Sequence, residues 1–102
     1  IKFSHPNIIW LPHVSYLDLP KYLRGFDICM IPFKLTEMIK GCDPIKFYEY
    51  MATGKPILTT KMQPILKYSK QCYFIDGNNY GKMIDMANSE SNINYNSRIE
   101  LA

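Results

Sequence analysis

The most constraining feature of the sequence is the run DICMIPF at residues 27–33, which is apolar at nearly every position and is closed by Pro32. A strand with one buried face alternates apolar and polar side chains, whereas a strand buried on both faces has an almost continuous apolar run. Sheets that are buried on both faces are usually parallel and carry helices on each side. Residues 27–33 therefore predict a strand inside an α/β domain.

The rest of the chain alternates between strand-like and helix-like segments. The pattern predicts strands at 7–11, 27–33, 55–60 and 72–76, helices at 18–26, 44–53 and 79–90, and one or two helical turns at 64–69. This alternation with short connections favours a Rossmann-like, mostly parallel sheet with flanking helices. We expect a partial domain at residues 1–90, followed by a polar tail or helix extension at 91–102.

The helix predicted at 44–53 has clear start and stop signals, because Asp43 suits the N-cap, Pro44 the first helical position and Gly54 the left-handed C-terminal position. Its apolar face toward the sheet is predicted to comprise Ile45, Tyr48, Met51 and Ala52. Doubly wound sheets bind ligands at the carboxyl ends of their strands. The loops at 12–16, 32–44 and 59–63 therefore form the candidate site.

Glu49 lies near the edge of that apolar face, where a partly buried carboxylate must be paired or hydrogen-bonded. One interpretation is a pair with Lys46 or Lys55, or plain solvation. The other is that Glu49 accepts hydrogen bonds from ligand hydroxyls, as carboxylates do for the ribose of nucleotides in doubly wound proteins. The backbone N–H groups at residues 43–46 would then be available to a phosphate. The pattern leaves both interpretations open.

Composition excludes several classes of protein. A hydrophobic content of 47% is too high for a disordered chain, and no apolar run is long enough to span a membrane. The net charge is +3, and the lysines are scattered, so we expect no nucleic-acid partner but a weak attraction to anionic molecules or membrane faces. Cys29, Cys42 and Cys72 lack the spacing of a zinc site or a disulfide framework, so we expect neither, and Cys29 and Cys72 are predicted to be buried.

Four segments occur in the order NIIWLPHV, DLPKYL, FDICMIPF and PIKFYEYMATGKPIL. Together they resemble the C-terminal, nucleotide-sugar-binding half of GT-B-fold glycosyltransferases, in particular the retaining group called family four and its relatives. The last block matches the pattern PxKxxEYxAxGKP and is the specific part of the resemblance. The segment CYFIDGNN is similar to the last strand and turn of that domain, so the resemblance covers about residues 5–90.

The resemblance implies a cytoplasmic enzyme, at the inner face of the membrane, that transfers a sugar with retention. The donor would be a nucleoside diphosphate sugar, and the acceptor a surface polysaccharide or lipid-linked glycan bound by a missing N-terminal domain. No metal or other cofactor is expected, because basic side chains and a helix N-terminus offset the diphosphate charge. The chain lacks an initiator Met, and we interpret it as a fragment that is inactive alone and whose open sheet edge favours self-association.

The resemblance also implies roles for individual residues. Glu49 matches the Glu that holds the ribose hydroxyls, and His13 and Val14 would lie against the nucleotide base. The segment from Lys34 to Lys46, including Glu37, Asp43 and Pro44, would contact the diphosphate and the sugar. Lys46 is the candidate for a cation near the diphosphate. The alternative is that Lys46 forms a structural ion pair with a Glu.

One family feature is missing from the sequence. Many relatives carry Glu-x7-Glu, but Gly41 stands where the first Glu would lie, so the catalytic residues stay unassigned.

Two other functions are compatible with a Rossmann-like domain. A response-regulator-like signalling domain would need an acidic cluster and a phosphoacceptor Asp at the end of its first strand, and the segment IIWLPH supplies neither. A non-catalytic interaction fragment would keep the fold without the chemistry, and Gly41 is compatible with that interpretation. Binding of a nucleoside diphosphate distinguishes the glycosyltransferase from both alternatives.

Overall fold

The computed structural model describes residues 5–34, 36, 44–90 and 92–101. Three short strands form a parallel sheet in the order β1-β2-β3: β1 (Cys29–Ile31), β2 (Ile57–Thr59) and β3 (Tyr73–Phe74). The helices are α1 (Leu19–Leu23), α2 (Ile45–Thr53), α3 (Tyr80–Asn88) and α4 (Asn92–Leu101), with a 3₁₀ helix at Gln63–Tyr68. The predicted α/β class, with a parallel sheet flanked by helices, is confirmed.

The central strand, β2, is buried on both faces and all three of its residues are fully buried. Successive side chains of a strand point to opposite faces of its sheet. Ile57 belongs to the core cluster that contains Phe47 and Met51 of α2, whereas Leu58 packs with Ala87 of α3. The helices α2 and α3 therefore cover opposite faces of the sheet, and β2 separates the two parts of the core.

The joint between α2 and β2 depends on Gly54. Its φ of 74° lies in the left-handed region, and its N–H donates a hydrogen bond to the Met51 carbonyl at 3.0 Å. A Cβ at this position would lie 2.9 Å from Cζ of the Tyr95 ring and closer still to two other ring carbons. Glycine is therefore required both by the backbone conformation and by the close approach of α4.

A buried arginine attaches α4 to the rest of the domain. Arg98 is 1% exposed, and its Nη1 donates to the Gly54 carbonyl at 2.7 Å while its Nε donates to the Gln71 carbonyl at 2.8 Å. Its guanidinium also forms an ion pair with both carboxylate oxygens of Glu90, and the Tyr73 hydroxyl donates to the same carboxylate at 2.7 Å. Residues 92–101, within the segment predicted as a polar tail or helix extension, thus form a helix that is anchored to the core.

The strand predicted at 7–11 is wrong. These residues form neither helix nor strand, and Ile9 is 81% exposed. An apolar run becomes a strand only where a neighbour satisfies its backbone hydrogen bonds. Within the described residues, β1 pairs only with β2 and thus lies at the edge of the sheet. Met30 of β1 is 38% exposed, although residues 27–33 were predicted to be buried on both faces, because α3 covers this face of the sheet at β2 and β3.

Several element boundaries also differ from the predictions. The helix predicted at 18–26 ends at Leu23, and the carboxylate of Asp18 accepts the Ser15 hydroxyl at 3.0 Å instead of capping the helix. The helix predicted at 44–53 begins at Ile45, because the ψ of 118° makes Pro44 an extended N-cap residue. Asp43, the predicted N-cap, lies outside the described residues.

The two described cysteines are free and buried, as the sequence predicts. Burial raises the pKa of the Cys29 thiol to about 11 and that of the Cys72 thiol to about 12, from an ordinary value of 9.0. Both thiols are therefore protonated and unreactive in the folded protein near neutral pH. Cys42 lies outside the described residues.

Gly54→Ala is expected to lower the free energy of unfolding by about 1–3 kcal/mol, since a Cβ is strained at positive φ and would collide with Tyr95. Gly81→Ala is the matched control, because it lies in α3 with nothing within 4 Å of the added Cβ. That change should raise stability by about 0.5–1 kcal/mol. Urea unfolding measures both, and a Gly54→Ala variant as stable as wild type would contradict this role for Gly54.

The raised pKa of Cys72 predicts a loss of stability at high pH. The unfolded chain releases the thiol proton more readily than the folded protein, so this stabilisation is complete below pH 9.0 and is lost as the pH rises toward about 12. Cys72→Ala should make the pH dependence above pH 9.0 less steep, by up to about 1.4 kcal/mol per pH unit. Urea unfolding at a series of pH values measures this slope. If wild type and Cys72→Ala lose stability equally with rising pH, the loss does not come from the Cys72 thiol.

Candidate functional site

A cavity of about 550 Å³ opens between α1, α2 and α4. This volume lies within the range of about 300–1,000 Å³ that is typical of small-molecule sites. Its apolar wall comes from Leu19, Pro20 and Leu23 of α1. Its polar side chains come from α2, from α4 and from the segments next to the helices, so the cavity exists only where three helices meet.

The rotation of α2 decides where Glu49 points. Phe47 and Met51 are fully buried against the sheet. Glu49 is two residues from each of them, which is about 200° around a helix, so it lies on the opposite side of α2. The predicted sheet face was right for Met51 but wrong for Ile45, which is 73% exposed, and for Ala52, which is exposed and lines the cavity. Glu49 is half-buried because α1 and α4 flank the cavity, and not because it lies at the edge of the sheet-facing side.

The Glu49 carboxylate lines this cavity. Among the described residues, no group forms a hydrogen bond or an ion pair with it. The interpretation in which Glu49 pairs with Lys46 or Lys55 is therefore not realised in this structure. A half-buried carboxylate with free acceptor positions can bind the hydroxyl or N–H groups of a ligand.

Two cations share the cavity with Glu49. Arg24 follows α1 directly, and Lys55 follows Gly54 at the joint between α2 and β2. The rings of Tyr16 and Tyr95 complete the lining. This combination of flat rings, one carboxylate and two cations suits a ligand with a ring system, hydroxyl groups and negative charge.

Sequence reasoning did not assign Arg24, Lys55 or Tyr95 to the site. Lys55 stands in the Gly-Lys-Pro joint, which signals a turn and says nothing about a cavity. Tyr95 lies in the Asn- and Ser-rich segment that was predicted as a tail or helix extension. Their convergence depends on how α1 and α4 pack beside α2, and no local pattern records that packing.

The other predicted donor-binding residues lie apart from the cavity. Among the described ones, His13, Lys34 and Lys46 are exposed, Val14 is half-buried and Pro44 is buried, and none of them lines the cavity. Their assignment to the donor stays a prediction. Glu37 and Gly41 lie outside the described residues, as does Asp43.

At the carboxyl end of β2, the loop predicted at 59–63 contains a buried hydroxyl. Thr60 is 8% exposed, and its Oγ1 has no hydrogen-bond partner within the described part of the chain. The backbone of Thr60 is satisfied, because its N–H donates to the Ile31 carbonyl at 3.2 Å and its own carbonyl accepts from Met62.

Neither a membrane-spanning helix nor a cluster of metal ligands is present in the described ranges. No helix there is both long and apolar enough to cross a membrane. No group of three or more His, Cys, Asp and Glu side chains there is arranged to hold a metal ion.

Comparison with known proteins identifies the family. Residues 2–87 match the model of the family described as Glycosyl transferases group 1. A relative from Bacillus subtilis (strain 168), the glycosyltransferase TuaH, whose name assigns it to teichuronic acid biosynthesis, is 31% identical over 65 residues. That alignment covers 64% of this chain and 16% of the relative, so the chain spans only a small part of the relative's length. No solved structure shows a significant match. The glycosyltransferase resemblance is confirmed, and the chain belongs to the group 1 glycosyl transferases.

Proposed function

We propose that this chain is the donor-binding part of a glycosyltransferase whose donor is a nucleoside diphosphate sugar. The observation that carries the proposal is Glu49, a half-buried carboxylate that lines a cavity and has no bonding partner among the described residues. Such a carboxylate offers free acceptor positions to the hydroxyl groups of a ligand.

The remaining cavity residues are complementary to the other parts of that donor. Glu49 accepts hydrogen bonds from the ribose hydroxyls, and the exposed ring of Tyr16 offers a surface for the base. Arg24 and Lys55 place two positive charges beside one negative charge, which favours the diphosphate. By resemblance, the donor also contacts residues beyond the described cavity lining, namely His13, Val14, Lys34, Glu37, Asp43, Pro44 and Lys46.

We further propose a hexosyl transfer with retention to a surface polysaccharide or a lipid-linked glycan. The name of the relative, which refers to teichuronic acid biosynthesis, supports an acceptor of this kind. We place the reaction in the cytoplasm, at the inner face of the membrane, where a net charge of +3 favours contact with anionic lipids. The acceptor would bind to a part of the enzyme beyond this chain, which makes the isolated chain inactive.

The donor proposal predicts a loss of nucleotide affinity when Glu49 is truncated. In the natural full-length protein, Glu49→Ala should weaken binding of UDP or GDP by about 1.5–3 kcal/mol, roughly tenfold to a hundredfold, because a charge-assisted hydrogen bond is lost. Glu100→Ala is the matched control, since it makes the same change at an exposed position of α4 outside the cavity. Isothermal titration calorimetry measures both affinities.

Three results of this titration have distinct meanings. A loss confined to Glu49→Ala, with an unchanged circular dichroism spectrum, supports Glu49 as a donor ligand. Equal affinities in wild type and Glu49→Ala would show that Glu49 does not bind the donor. If neither UDP nor GDP binds to the wild-type protein, the proposed donor class is wrong.

A further inference from the structure

We propose that Arg98 is a positioning residue of the donor site, because it holds the C-terminal end of the helix that carries Glu49. The inference rests on the proposed function of Glu49. It concerns a residue outside the family match, which ends at residue 87. Arg98 does not line the cavity, so its effect on the donor would be transmitted through other residues.

The Arg98 guanidinium joins three separate parts of the chain. It donates to the carbonyl of Gly54 at the α2–β2 joint and to the carbonyl of Gln71 in the turn before β3. It also pairs with Glu90, which lies between α3 and α4. A guanidinium carries its N–H donors in one rigid plane, so acceptors bound to it are held at set positions relative to one another.

The contact with Gly54 acts on α2 directly. The last carbonyl groups of a helix have no partner within the helix, and the C-terminal end carries partial negative charge. Arg98 supplies both a donor and a positive charge to the C-cap residue of α2. Glu49 precedes that residue by about one and a half helical turns. Fraying or rotation of this last segment would move the Glu49 carboxylate relative to α1.

Arg98 also determines the position of the opposite wall. Tyr95 lies one turn before Arg98 on α4, lines the cavity and packs its ring against Gly54. The contacts of Arg98 therefore hold Glu49 and Tyr95 on opposite sides of one joint. This arrangement gives a role to an arginine whose side chain is almost completely buried.

Lysine at position 98 tests the geometry while keeping the charge. An ammonium group has its three donors on a single nitrogen, so it does not reproduce the four hydrogen bonds that three guanidinium nitrogens make to Gly54, Gln71 and Glu90. In the full-length protein, Arg98→Lys should weaken UDP or GDP binding about threefold to tenfold. Calorimetry is performed well below the melting temperature of each variant, so that only folded protein is compared.

A control within the same cluster separates positioning from stability. Tyr73→Phe removes the hydroxyl that donates to Glu90 but leaves every hydrogen bond of Arg98 in place, including its ion pair with Glu90. It should lower the melting temperature and leave the nucleotide affinity unchanged. If Tyr73→Phe reduces affinity as much as Arg98→Lys, the effect follows general stability and the inference is overturned.

A double-mutant cycle then tests whether Arg98 acts through Glu49. Once Glu49 is replaced by Ala, the factor by which Arg98→Lys weakens nucleotide binding should be at most half of the factor in wild type. If Arg98→Lys weakens nucleotide binding by the same factor in both backgrounds, or weakens it in neither, the inference is overturned and the donor proposal stays intact. If Glu49→Ala alone binds nucleotide normally, the donor proposal fails and the inference fails with it.

A second variant covers the case in which Arg98→Lys does not fold. Glu90→Gln keeps the shape of the side chain and removes the charge that pairs with Arg98. It should weaken nucleotide binding in the same direction by about twofold to fivefold. Wild-type affinity in a folded Glu90→Gln variant would overturn the inference in that case.

Discussion

Burial of β2 on both faces is the constraint on which the remaining structure depends. Ile57 and Leu58 point to opposite sides of the sheet, and each is completely removed from water. Full burial of such a side chain stabilises a protein by roughly 1.5–3 kcal/mol. One helix must therefore cover each face, and α2 and α3 do so. The chain can enter β2 from α2 only through a sharp turn, which Gly54 makes in a left-handed conformation.

The candidate site is a consequence of this layering. Because Phe47 and Met51 occupy the side of α2 that faces the sheet, Glu49 must point away from it. A residue on the outer side of a helix is normally exposed to solvent. Glu49 is half-buried only because α1 and α4 flank the same side of α2 and enclose a cavity there. The burial of the Glu49 carboxylate thus depends on α1 and α4, which contribute few residues to the hydrophobic core.

Sequence patterns predicted the elements on which this layering is built. The apolar run at 27–33, the helix predicted at 44–53 and Gly54 as its end each depend on neighbouring residues alone, and each is present with shifted bounds. The strand predicted at 7–11 failed because a strand also needs a partner, which no local pattern supplies. The sheet-facing side of α2 was misjudged at Ile45 and Ala52 because several apolar residues of this helix compete for the core.

By itself, the sequence determined the α/β class, the parallel alternation of elements, the Gly54 turn and the family motif around Glu49. Each of these is recorded either in a short run of neighbouring residues or in the order of such runs along the chain. Only the tertiary structure decided which side chains surround Glu49 and that Arg98 binds Gly54, from which it is separated by 44 residues. The physical reason is that apolar periodicity specifies which side of an element is buried, whereas cavities and buried ion pairs depend on which distant elements pack together.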